Sequence, residues 1–313
     1  VNGWKGLKVG GCRYGLMLGE DGMVMDDGVT ARLAENRFLM STTTGNAARV
    51  LAWLEECVQT EWPDMKVYMA SATEQWATVS ISGPRARDLL AEVTGDIDLS
   101  PEAFPFMSFR EGTVAGIPAR VFRISFTGEL SFEINVAARH GLAVWAACMT
   151  AGEKYGITPF GTEAMHLLRA EKGFIIVGQD TDGTVTPSDL GMDWIVSGKK
   201  VDFLGKRSLA RPDAVRAGRK RLVGLFTVDP TIVLDEGAQI VAEPRDRPPM
   251  KMIGHVTSSY FSPTLGRSIA LALIEDGPDR MDQTLYAPMP DRTIPVRVTG
   301  PVFYDPDGER MRG

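Results

Sequence analysis

The chain has 313 residues and a mass of 34.1 kDa, enough for about two domains with sizeable cores. Apolar residues make up 44% and charged residues 24%, which excludes disorder, collagen and coiled coil. A net charge of −6 argues against general nucleic-acid binding. The longest clean apolar stretch, 268–274, is far short of the roughly 18 residues a membrane span needs.

Gly (33) and Pro (19) are in excess, which favours turns and short strands over helical bundles. Cys12, Cys57 and Cys148 are too scattered for a disulfide framework or a metal knuckle, and no secretory signal opens the chain. A reducing, cytoplasmic setting is expected. His140, His166 and His255 lie too far apart in sequence to suggest a His-rich metal site.

In chain order, the opening residues read as a loop feeding straight into a strand, as though the chain began mid-domain. Strands are predicted at 13–18, 23–33 and 37–43, separated by Gly-rich turns. An amphipathic helix follows at 45–59, with Ala48, Val50, Leu51, Leu54 and Val58 at helical spacing. Strands at 65–71 and 76–83 precede a helix at 84–93 that has Pro84 in its first turn. Residues 111–136 alternate apolar and polar across the turn TGEL. Helices come next at 139–154, with Leu142, Trp145, Ala146 and Met149 as its inward stripe, and at 160–172. Mixed order with hairpins implies antiparallel sheets with helices on one side, an α+β layout. No GxGxxG supports the Rossmann alternative.

From Lys199 to Arg221, nine Lys/Arg face only Asp202 and Asp213, a local +7 that leaves −13 for the rest. A solvated linker and a landing strip for an anionic tail or acidic partner both fit this segment. Beyond it the pattern is nearly all β, which suggests a small barrel or sandwich over the last 95 or so residues. The domains expected are 1–217 and 218–313.

Few residues could carry chemistry. Asp26 and Asp27 follow a Gly turn, and alternation lets only one of them enter a given pocket. Glu133 shares a strand face with Ser131 and Asn135, opposite the core-facing Phe132 and Ile134, and could accept two parallel N–H bonds. Arg169, on a helix with Glu163 and His166, could clamp a carboxylate as a fork. The polar run 255–268 could edge a site. Taken singly, each of these is a weak signal that turn carboxylates or ordinary surface charge explain.

Taken together, YGLML, DDGV, SFTGELSFEI, PFGTEAMHLLRAEKG, DLGMDW, DFLGKRSL and IGHVTSSYFSP resemble the folate-dependent aminomethyltransferase family from about residue 10 to the end. Other stretches, such as GTVTPSDLGMDWIVS and PVFYDPDG, are similar to the sarcosine oxidase alpha-subunit branch of that family. The resemblance implies a three-lobed fold of two α+β lobes and a terminal β-barrel around tetrahydrofolate. It also implies an N-terminally truncated first lobe, with further residues upstream. Asp27 would be the catalytic carboxylate, and Tyr14, Val29, Phe126, Glu133 and Arg169 would bind the folate. Glu133 would pair with the pterin, and Arg169 would hold the pterin or its glutamyl end. Phe126 stands where relatives have a tyrosine, and so packs without donating a hydrogen bond.

The function implied is capture, by tetrahydrofolate, of the one-carbon unit from oxidative demethylation of sarcosine, giving 5,10-methylenetetrahydrofolate and glycine. FAD, FMN and NAD would sit elsewhere in a heterotetrameric complex, whose other subunits would be the partners. A stand-alone aminomethyltransferase and a non-catalytic folate-binding module are the alternatives.

Overall fold

The computed structural model describes all residues, Val1–Gly313. Three antiparallel strands, β1 (Cys12–Leu18), β2 (Val24–Ala34) and β3 (Arg37–Met40), form the first sheet in sequential order. Helix α1 (Ala47–Thr60) follows it. The strand expected at 65–71 does not form: none of the sheets pairs with these residues, and Tyr68 is fully exposed. An alternating pattern without a partner edge has no ladder to hold it.

The second sheet runs β4–β7–β6–β5 from β4 (Trp76–Ser82), β5 (Ser108–Val114), β6 (Ile117–Arg123) and β7 (Ser131–Ala137). Helices α2 (Ala86–Val93) and α3 (Gly141–Gly152) cover one face, packing Leu89, Leu90, Val144 and Cys148 on Val79, Ile81, Phe132 and Ile134. The stripe expected for α3 is reversed. Leu142 and Trp145 are exposed, and Val144, Cys148 and Gly152 face inward. The helix approaches β4 so closely that a Cβ on Gly141 would stand 2.7 Å from that of Ala77, so the small side of α3 turns to the sheet.

Six strands close the C-terminal barrel: β8 (Lys220–Thr227), β9 (Gln239–Val241), β10 (Met252–Ser262), β11 (Arg267–Glu275), β12 (Thr284–Pro288) and β13 (Thr293–Thr299). Its interior is Val, Ile, Leu and Ala from alternate positions, including Val223, Leu225, Ala270, Ala272, Ile274 and Val296. β12 is five residues long and ends in Pro288.

Three contacts join these units. The Gly11–Ser108 bridge and the bond from the Cys12 N–H to the Met107 carbonyl tie β1 to the second sheet. Leu222, Leu271 and Leu273, on the outside of the barrel, pack on Leu16, Leu18 and Val24 through Ile175, Val185 and Leu190. Helix α4 (Thr162–Glu171) ends fully buried between them. There Glu171 accepts from the Ser262 hydroxyl at 2.5 Å, and Lys172 pairs with Asp305 at 2.9 Å.

Candidate active site

The front face of the first sheet carries Cys12, Tyr14 and Leu16 from β1, opposite Ala31, Val29 and Asp27 of β2. Cys12 and Ala31 belong to the small core shared with Phe109 and Phe122 of the second sheet, whereas Leu16 belongs to the core shared with the barrel. Tyr14, Val29 and Asp27 therefore occupy the span of sheet between the two junctions. The Tyr14 hydroxyl donates to Asp27 Oδ2 at 2.6 Å. Burial pushes the Asp27 carboxyl up to about 6, opposed by the tyrosine bond and assisted by the charge of Asp26. Burial and the Asp27 carboxylate raise the phenol well above its ordinary value. Raised to within reach of neutrality, Asp27 can take or give a proton and can balance a developing cation.

Glu133 lies on the face of β7 turned away from the helices, paired across strands with Ser80 and Phe122. It faces the first sheet: with burial, its charge pushes the Cys12 thiol up to about 12. Burial alone pushes Glu133 up to about 7, because no protein group donates to its carboxylate. A half-buried acceptor that no protein donor meets is the feature expected where N–H groups of a ligand complete the site.

The other expected residues lie differently. Phe126 stacks on Phe174, with ring centroids 6.5 Å apart. Arg169 is fully buried, and its guanidinium is committed within the protein. It donates to Asp180 at 2.5 Å, to the Phe174 carbonyl at 3.0 Å and to the Ser258 hydroxyl at 2.6 Å. Its contacts are those of a cross-brace, where a fork open to a carboxylate was expected. Asp180 also accepts from Thr257 and Ser258, so the polar run in β10 clasps the segment after α4. Sequence reading singled out that run without its partner.

The basic segment is also engaged internally in part. Arg219 is held by Asp189 and Asp213, Arg216 by Asp213, and Lys206 by the carbonyls of Lys200 and Val201. A cavity of about 510 Å³ opens elsewhere, along β4 between α2 and α3. It contains no carboxylate and has no part in this site.

Residues 1–200 match the family model described as the GCVT N-terminal domain, and residues 220–305 match the glycine cleavage T-protein C-terminal barrel domain. The chain belongs to the glycine cleavage T-protein family. Among its relatives, the sarcosine oxidase subunit alpha of Corynebacterium sp. (strain U-96) is 54% identical over all of this chain and 33% of its own length. That of Rhizobium meliloti (strain 1021) is 42% identical over 99% of this chain and 32% of its own. The chain thus spans about a third of the length of these relatives. An aminomethyltransferase of Clostridium botulinum (strain Okra / Type B1) is 33% identical over 84% of this chain and 68% of its own. The T-protein fold is shared with the glycine cleavage system aminomethyltransferase T from Bartonella henselae, at a TM-score of 0.78 and 24% identity, over 95% of this chain and 77% of that one. No helix is long and apolar enough to cross a membrane.

Proposed function

We propose that this T-protein-family chain is the folate-binding, one-carbon-transfer module of a sarcosine oxidase. It would receive the one-carbon unit released when the N-methyl group of sarcosine is oxidised on a flavin held outside these residues, among the other subunits of a heterotetramer. Similarity to sarcosine oxidase alpha subunits over the whole chain supports the donor. The observation that carries the site is the unpartnered Glu133 carboxylate facing the sheet that holds the Tyr14–Asp27 pair.

These residues fit a reduced pterin. Tetrahydrofolate, when bound, supplies the nucleophilic nitrogens that capture the one-carbon unit. Glu133 accepts the pterin N–H donors, each such charge-assisted bond contributing roughly 1.5–3 kcal/mol. Val29 walls the pocket between Tyr14 and Asp27, and Phe126 with Phe174 provides an apolar flank. Tyr14 fixes the rotamer of Asp27 through its hydroxyl, leaving Oδ1 to act on the reacting centre. With its proton affinity near neutrality, Asp27 holds or releases a proton there and balances positive charge on the incoming one-carbon unit. Arg169 serves the pocket at one remove, by fixing the Phe174 carbonyl.

In the assembled oxidase, Asp27→Asn is expected to leave sarcosine-dependent oxygen uptake unchanged. It should cut delivery of the one-carbon unit to folate by about 10²–10⁴-fold, the usual contribution of a general acid–base group, with formaldehyde released instead. Unchanged partition between folate and formaldehyde would remove Asp27 from the reaction.

A further inference from the structure

Asp26, behind the sheet, has entered the site so far only through its charge, yet it is fully buried. Alternation along β2 turns it away from Asp27, toward the segment that leads into α1. Its Oδ1 accepts the Asp27 N–H at 2.9 Å and the Thr43 N–H at 3.4 Å. Its Oδ2 has no partner. A buried carboxylate oxygen without a donor costs more than the hydrogen bonds at its other oxygen return, so the fold alone does not explain an aspartate there.

The surroundings are otherwise built to hold this stretch of β2 still. Asn46 donates to the Met25 carbonyl at 3.3 Å, and the Ser41 hydroxyl bonds both the N–H and the carbonyl of Val29. Gly28, at φ +156°, passes so close that a Cβ there would stand 1.9 Å from the Ser41 carbonyl oxygen. Residues 41–46 are thus a strap across the back of the Asp27 segment.

We propose that Asp26 is a positioning residue for Asp27: from behind the sheet its carboxylate clamps the Asp27 main chain to the 41–46 strap. The charge of this clamp also favours the protonated form of Asp27. The inference rests on the reading of Asp27 as the acting carboxylate. The titratable groups acting on Asp27 are Tyr14 from β1 and Asp26 from β2. The strap contributes Ser41, Thr43 and Asn46, none of which titrates.

The test is carboxyl-¹³C NMR of the full chain labelled at aspartate, titrated without folate, with the Asp27 signal assigned from Asp27→Asn. In the unsubstituted chain Asp27 should titrate near 6. In Asp26→Asn, which keeps the Oδ1 acceptor and removes the charge, the midpoint should move down, while burial still holds it above the ordinary carboxylate range near 4. In Asp26→Glu, which keeps the charge, it should stay raised. An Asp27 midpoint unmoved in Asp26→Asn would overturn the proposal. So would an Asp26→Asn chain that fails to fold, because Asp26 would then be retained for the fold. Neither outcome bears on Asp27 itself, whose role is decided by the partition of the one-carbon unit.

Discussion

Asp27 and Glu133 hold protons more tightly in the folded chain than an exposed carboxylate does, because burial penalises the charged form. The sign of their effect on stability follows from this. What they contribute is fully present below the ordinary carboxylate range near 4, and is lost as pH rises through about 6 for Asp27 and about 7 for Glu133. At pH 8 the folded chain carries both as strained charges, each costing on the order of 2–3 kcal/mol. Glu133→Gln should therefore raise Tm at pH 8 by several degrees, and the difference should close near pH 4. A difference that stayed constant with pH, followed by calorimetry, would mean that Glu133 titrates alike in the folded and unfolded chain. A ligand donating N–H groups to Glu133 would favour its charged form, so folate binding and proton release from Glu133 should be coupled.

The element that ties site to scaffold is the buried end of α4. Arg169 and Asp180 form an ion pair with no exposure on either side chain, completed by Thr257 and Ser258 of β10. Removing one partner strands a buried charge, so Asp180→Ala should cost about 3–5 kcal/mol in denaturant unfolding. The double replacement Arg169→Met, Asp180→Leu should recover most of that loss, and a purely additive double mutant would contradict the coupling.

This network also marks where sequence reading stopped. Arg169 was visible as a helical cation, but Ser258 lies 89 residues away and nothing local links the two. A strand such as β7 was legible because one of its faces is buried, which writes a period of two into Phe132, Ile134 and Val136. The inward face of α3 was misread because close approach to β4 selects small residues, and apolar bulk pointed the wrong way. At 65–71 the alternation was real but had no edge to pair with. For the site, Tyr14, Asp27 and Glu133 came through resemblance, and period two supported only the face of Glu133. The braced state of Arg169 and the orphan oxygen of Asp26 depend on tertiary contacts and could not be read.

Over the whole molecule, the Tyr14–Asp27 pair sits where the first sheet passes between its junctions with the second sheet and the barrel. The core that contains Leu16 and Leu18 is completed by Leu271 and Leu273 from the barrel's outer face. The barrel and the first sheet should accordingly unfold together in one calorimetric transition; two resolved transitions would show the barrel to be independent. The account turns on a pterin pocket closed by Glu133, and calorimetric titration of tetrahydrofolate into the folded chain tests it most directly, with Glu133→Ala measured alongside. One-to-one saturable binding, weakened at least about tenfold in the variant by loss of a charge-assisted bond pair, is the predicted result. Equal affinity in the two proteins, or no binding by a well-folded chain, would contradict it.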